Sequence, residues 1–302
     1  MNVPVRRPRT LEEYRAVSAA YFSQEALDRG LAFKPRPSDV FIATYAKAGT
    51  TWMQQIVHGL RTKGSMDFGE ITEVVPWIEV ALILDIDPEA EQVANPRAFK
   101  THLSWDDVPK GGRYIVIFRD PKAVGVSFYR FMSGWFFEPG SISQETYLRE
   151  FFLKRGREEN CWQNMLSWWQ ARDRDDVLTL IYEDMTDNLP QVVRRVARFI
   201  GLDAGEETLA VATRQARFDF MKAYAHHFDD HLLRDKRDVA AGLPPGGESN
   251  KVATGTSGKE PLSDELIAEF DDVWREIIAS QTGLADYAAF RASVAEASRR
   301  HG

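Results

Sequence analysis

The sequence predicts an α/β fold, a central parallel β-sheet flanked by helices. Three features carry that expectation. Short apolar runs at 40–43, 114–118 and 177–182 have the length and the branched, aromatic character of buried strands, and 97–102 reads as another short strand with polar residues at its end. Between them, apolar residues recur three and four apart, as on helix faces. The stretch 39–59, DVFIATYAKAGTTWMQQIVHG, passes from strand through a glycine turn straight into a helix, and in parallel sheets ligands gather at such turns.

From the N-terminus, Leu11, Tyr14, Val17 and Tyr21 share one face of a helical lead-in over 11–31 that covers the sheet. Val40 to Ala43 is the first strand, and Met53, Ile56, Val57 and Leu60 mark the helix after the turn. Residues 72–87, with Trp77, Ile78, Val80 and Leu82, fit either core or the wall of a ligand pocket. Arg97 to His102 forms a strand with a polar end. Tyr114 to Phe118 is the clearest strand, and Pro121 suits the first turn of the helix that follows through Arg130. Helical patterns at 145–155 and 162–172, a strand at 177–182 and a helix at 189–200 closed by Gly201 complete the alternation. Glycine and proline between 237 and 263 predict a long, mobile loop, and two helices near 264–280 and 285–297 end the chain.

Composition narrows the function. The chain has 302 residues, 44% hydrophobic and 27% charged, enough for a sizeable core. Its net charge of −7 argues against nucleic acid as a partner, so any anionic ligand needs locally gathered Lys and Arg. Cys161 is the single cysteine, which excludes an internal disulfide and fits a small packing residue. MNVPVRRPRT lacks an apolar signal core, and the run from Val80 to Leu84 is far shorter than a membrane span. No membrane association and a cytoplasmic location are expected.

Three groups bear chemistry. In the turn from Tyr45 to Trp52, Gly49 lets backbone approach a ligand. Thr50 and Thr51 add hydroxyls, Lys47 adds charge, and the helix N-terminus presents free N–H groups. Lys47 precedes Gly49, so the turn is not a Walker A loop, and a plain strand–helix connection remains open. His102 ends a strand two residues after Lys100, placed either as a general base or as a histidine satisfied by backbone. Arg119 ends the next strand with Ser127 eight residues on, an arrangement for gripping a phosphate or for a surface pair with Asp120. His226, His227 and His231 lie near Asp229 and Asp230 but lack a metal-site pattern, and no G-x-S-x-G elbow marks a serine hydrolase.

Tyr45-x-Lys47-x-Gly49-Thr50-Thr51-Trp52 resembles the 5′-phosphosulfate loop of the cytosolic-type sulfotransferases, which use 3′-phosphoadenosine 5′-phosphosulfate (PAPS); Ala46 stands where they usually have Pro. Lys100-Thr101-His102-Leu103 is similar to their catalytic segment. Phe118 to Lys122 with Ser127-Phe128-Tyr129 is similar to their 3′-phosphate segment, and Tyr182-Glu183-Asp184-Met185 to an adenine-side segment. The resemblance implies a P-loop nucleotide-kinase-like sulfotransferase fold in one domain over 1–302, with the 237–263 loop over the active site. It implies PAPS as donor, 3′-phosphoadenosine 5′-phosphate (PAP) as product, no metal, and a small-molecule acceptor bearing a hydroxyl, phenols included, or an amine. His102 becomes the general base, Lys47 and Lys100 stabilise the departing phosphate, and Ser127 holds Lys47 back until the acceptor arrives. Lys47, Ala48, Gly49, Thr50, Thr51, Trp52, Arg119, Ser127, Tyr182, Phe218, Thr254 and Gly255 become donor-binding residues.

Two departures stand out. Ala253-Thr254-Gly255-Thr256-Ser257-Gly258 keeps the glycines of the family's Arg-Lys-Gly-x-x-Gly but loses both charges. The Lys-x-x-x-Thr-Val-x-x-x-Glu dimerisation motif is not met, which leaves the oligomeric state open. An ATP-dependent P-loop phosphotransferase and a non-catalytic nucleotide-binding relic remain the alternatives. Trp77, Trp105, Phe131, Trp135, Phe136 and Phe137 suggest an apolar acceptor pocket or, equally, core.

Overall fold

Four parallel strands in the order β2–β1–β3–β4 form the sheet of the computed structural model, which describes residues 6–21, 23–154, 160–247, 249 and 261–300. They are β1 (Val40–Ala43), β2 (Ala98–Thr101), β3 (Arg113–Phe118) and β4 (Val177–Ile181). Ala43 pairs with Thr101, Ile42 with Ile115, and Phe118 with Ile181.

Every strand residue except Arg113 is buried, Lys100, Thr101 and Thr179 included, as expected where helices cover both faces. Successive side chains point to opposite faces. Phe41, Phe99, Tyr114, Val116 and Phe118 enter an aromatic-rich core with Tyr14, Trp162, Phe270 and Phe290. Val40, Ile42, Ala98, Ile115, Ile117 and Leu180 enter an aliphatic core with Met53, Ile56, Val57, Leu60 and Val193. Among the described residues, no helix is long and apolar enough to cross a membrane.

Several expectations need correction. The lead-in is two helices, Leu11–Tyr21 and Gln24–Leu31, because the Ser23 side chain accepts the Ala26 N–H and starts a new N-terminus. Residues 237–241 are not loop but the end of the His231–Ala241 helix, closed by Gly242 in the left-handed region. Arg237 is buried against Trp135 and Phe136, with its guanidinium 4.2 and 4.4 Å from their ring centres. Tyr182 opens the Tyr182–Asp187 helix instead of ending β4. The expected helix at 145–155 is a short turn, Gln144–Tyr147, continued by a π-turn, Leu148–Phe152, and the penultimate helix likewise widens into a π-turn at Arg275–Ala279.

A buried ion pair fixes the amino end of the sheet. Arg97 Nε and Nη2 donate to the two Asp39 carboxylate oxygens at 3.0 and 2.7 Å, while Nη1 donates to the carbonyls of Pro88 and Glu89. With the charge and the lone pairs both satisfied, the pair holds β1, β2 and the 88–89 turn together. On the aliphatic side, His58 of the Thr50–Thr62 helix is buried edge-on to Phe68, with the Ser65 backbone as a weak polar neighbour. Burial, with the Arg61 charge adding to it, lowers the His58 pKa from 6.5 to about 4.

Between those two values the unfolded chain binds a proton that the folded chain refuses, so His58 makes stability fall as pH drops from 6.5 toward 4. Denaturant unfolding is expected to show about 2 kcal/mol of His58-dependent loss between pH 7 and pH 5. A His58→Leu variant should lose that part of the slope whatever its absolute stability; an unchanged slope would rule out the assignment.

Candidate active site

Because the sheet is parallel, its carboxyl ends share one edge. The residues just past β1, β2, β3 and β4 are Thr44, His102, Arg119 and Tyr182, and the last three line one cavity of about 1240 Å³. Lys47, Gly49, Thr50, Thr51, Trp52, Lys100, Ser127 and Phe218 line it too. Ala48 is buried beneath the turn and is absent from the lining. Thr254 and Gly255 lie outside the described residues.

The glycine turn is built for close approach. Lys47 and Gly49 have φ of 70° and 110°, and a Cβ on Gly49 would sit 3.0 Å from the Tyr182 ring. Gly49 caps the Thr50–Thr62 helix without a side-chain bond, so the first-turn N–H groups have no side-chain cap. Thr50 and Thr44 join their hydroxyls, tying the helix start to the end of β1. Trp52 donates from Nε1 to the Ala216 carbonyl at 2.7 Å and meets Tyr182 edge-on at 5.5 Å, which fixes its ring on the cavity wall.

Arg119 does not pair with Asp120. Its Nη1 donates to the Lys47 carbonyl at 2.8 Å, and its guanidinium lies 4.2 Å from the centre of the Tyr182 ring. Nε is buried without a hydrogen-bond partner. Asp120 instead accepts the Lys122 N–H at 2.9 Å, capping the Pro121–Trp135 helix that carries Ser127. Burial raises the Asp120 pKa.

His102 is held from three sides. Nδ1 lies 2.7 Å from the Thr44 carbonyl oxygen, which can only accept, so Nδ1 carries the proton and Nε2 is the basic nitrogen. The backbone N–H donates to Glu79 Oε1 at 2.7 Å, and the backbone carbonyl accepts from Asn164 Nδ2 at 3.2 Å. Trp77 stands edge-on to the imidazole at 4.9 Å and carries the Lys100 ammonium over its face at 3.9 Å. Lys47 rests likewise over Phe131, 4.4 Å from the ring centre.

Residues 77–80 divide between the two roles open from sequence. Ile78 and Val80 are core, whereas Trp77 and Glu79 line the cavity. Phe131, Trp135 and Phe136 also line it; Phe137 is core, and Trp105 packs on Tyr114 and Trp168. Thr44, Glu79 and Asn164 were not singled out from the sequence. Their signals are a main-chain carbonyl and two side chains distant in the chain, which spacing cannot reveal. Burial raises the Glu79 pKa, offset in part by the nearby His102 N–H and Trp77 indole.

Elsewhere, Cys161 is buried and its thiol pKa is pushed up, as a packing residue requires. His231 Nδ1 sits 2.7 Å from Asp229, and the His226 and His227 rings lie 3.9 Å apart. Among the described residues, no three His, Cys, Asp or Glu side chains are grouped to hold a metal ion.

The family model described as "Sulfotransferase domain" matches residues 37–282. Sulfotransferase 1B1 of Canis lupus familiaris is 33% identical over 203 residues, covering 63% of this chain and 68% of that protein. Luciferin sulfotransferase of Photinus pyralis is 27% identical over 284 residues, covering 83% and 74%. Among solved structures, a retinol dehydratase in complex with androsterone and PAP superposes with a TM-score of 0.67 at 18% identity, over 92% of this chain and 97% of that one. Mouse sulfotransferase SULT7A1 complexed with PAP gives 0.64 at 20% identity, over 91% and 95%. The chain belongs to the sulfotransferase domain family, and it is an enzyme of the sulfotransferase class.

Proposed function

We propose that the enzyme moves a sulfuryl group from PAPS to a hydroxyl or amine of a small-molecule acceptor, releasing PAP, with His102 as general base. The observation that carries this reading is the Nδ1 bond to the Thr44 carbonyl at 2.7 Å, which makes Nε2 the proton-accepting nitrogen of a residue lining the same cavity as the Gly49 turn.

PAPS, when bound, supplies the electrophilic sulfur and takes the electron pair of the broken S–O bond on its 5′-phosphate. His102 Nε2 accepts the acceptor's proton as the new bond to sulfur forms. Lys47, the N–H groups at the helix start and the Thr50 and Thr51 hydroxyls stabilise charge growing on the 5′-phosphate, and Lys100 shares that task. Ser127 restrains Lys47 until the acceptor is present. Arg119 and Ser127 grip the 3′-phosphate; the buried, unpartnered Nε of Arg119 supports this, since such a donor is costly without a ligand. Trp52, Tyr182 and Phe218 hold the adenine; Trp52 has its plane set by Ala216, and Phe218 is 44% exposed at the start of its helix. The stretch that includes Thr254 and Gly255, outside the described residues, keeps its place in the proposed donor site by its sequence alone. Tyr14, Trp77, Phe131, Trp135 and Phe136 on the cavity wall favour an apolar or phenolic acceptor.

His102→Ala should lower kcat by about 10²–10⁴-fold while leaving PAP affinity nearly intact; full turnover in that variant removes His102 from its role. Calorimetry should show PAP binding at least roughly tenfold tighter than AMP, with Arg119→Ala collapsing that ratio. Equal affinities in the parent enzyme would support a relic. Sulfuryl transfer should survive chelator treatment and ATP should not replace PAPS, whereas chelator-sensitive phosphoryl transfer from ATP would favour the phosphotransferase alternative.

A further inference from the structure

Glu79 occupies an unusual position. Residues 76–78 run beside β2 beyond the sheet: Lys100 N–H donates to the Pro76 carbonyl at 2.7 Å and Ile78 N–H to the Lys100 carbonyl at 3.1 Å, so Trp77 bridges to Lys100 as a strand would. Two residues on, the chain turns away, and the N–H of His102 would be left without a strand partner. The Glu79 side chain takes the place of that partner, accepting the His102 N–H on Oε1 at 2.7 Å. Its carboxylate is buried, and the Trp77 indole N–H and the Thr101 hydroxyl act on it as well. Glu79, on the cavity wall, thus holds the backbone N–H of the residue that carries the imidazole.

We propose that Glu79 is a positioning residue for the base: its bond to the His102 backbone N–H keeps the peptide plane turned so that Nδ1 meets the Thr44 carbonyl and Nε2 faces the cavity. Buried backbone N–H groups are almost always paired. Once this one is released, the 101–102 peptide turns to find another acceptor and carries the imidazole off Thr44. The effect then falls on His102 and spares donor residues on other elements, such as Gly49 on its turn, Arg119 after β3 and Tyr182 after β4. Glutamine offers the same acceptor oxygen at the same reach, so the bond, and not the carboxylate charge, is the operative feature. The kinetic part rests on the proposed base role of His102; the geometric part does not.

The test compares Glu79→Ala with Glu79→Gln in the full chain, measuring kcat, acceptor KM and PAP affinity. It also measures the imidazole tautomer of His102 by long-range nitrogen–proton NMR, tractable with six histidines. Glu79→Ala should lose about 10- to 100-fold in kcat with KM and PAP affinity within about threefold, and should mix the two His102 tautomers. Glu79→Gln should restore both readouts. Unchanged kcat and tautomer in Glu79→Ala overturns the inference. So does a Gln variant as impaired as the Ala variant, or a loss confined to PAP affinity and melting temperature. If the unaltered enzyme transfers no sulfuryl group to any acceptor, the functional reading fails by itself, and the tautomer comparison alone still decides the role of Glu79.

Discussion

The parallel register of the sheet is the constraint from which the site follows. Pairing Ala43 with Thr101 and Phe118 with Ile181 brings the ends of the four strands to one edge. The ladder, the two buried faces and the Asp39–Arg97 pair fix that register, since a slip of one residue would exchange the aromatic face for the aliphatic one. Four residues distant in sequence thus become neighbours. Thr44 gives a carbonyl, His102 an imidazole, Arg119 a guanidinium and Tyr182 a ring on which that guanidinium rests. The Gly49 turn is closed from below by the same edge, with the Lys47 carbonyl bonded to Arg119 and Gly49 against Tyr182.

Charge is handled locally. A chain with net charge −7 gathers Lys47, Lys100 and Arg119 around one cavity and sets each on an aromatic face, those of Phe131, Trp77 and Tyr182. An aromatic face steadies a cation without cancelling its charge, so the field remains available to an anionic ligand. Trp77 does two things at once: its face carries the Lys100 ammonium and its edge meets the His102 imidazole. Arg119 Nε is buried on this cavity without a hydrogen-bond partner.

What was legible in the sequence was local. Buried strands announce themselves as runs, and the turn from Tyr45 to Trp52 does so through residue types whose chemistry depends on their spacing. Lys100 and His102, then Arg119 and Ser127, were readable because each pair lies on one element or across one strand end. The rest was hidden for physical reasons. The link from His102 to Thr44 spans 58 positions and uses a main-chain carbonyl, which every residue possesses. Glu79 belongs to no sequence motif, and only the pairing of Trp77 with Lys100 brings it to His102. Ser23, as an N-cap inside a continuous helical pattern, and the helical continuation through Arg237 were masked by propensities that fit helix and loop alike.

The central claim is that one imidazole nitrogen, aimed by the sheet edge, faces the nucleophile across the sulfur. A crystal structure with PAP and a turned-over phenol bound together examines it most directly. The account predicts the phenol oxygen within hydrogen-bonding distance of His102 Nε2, the 5′-phosphate on the Gly49–Thr51 turn and the 3′-phosphate on Arg119. A nucleotide seated away from that turn, or a phenol oxygen directed at another group with His102 Nε2 turned aside, would contradict it.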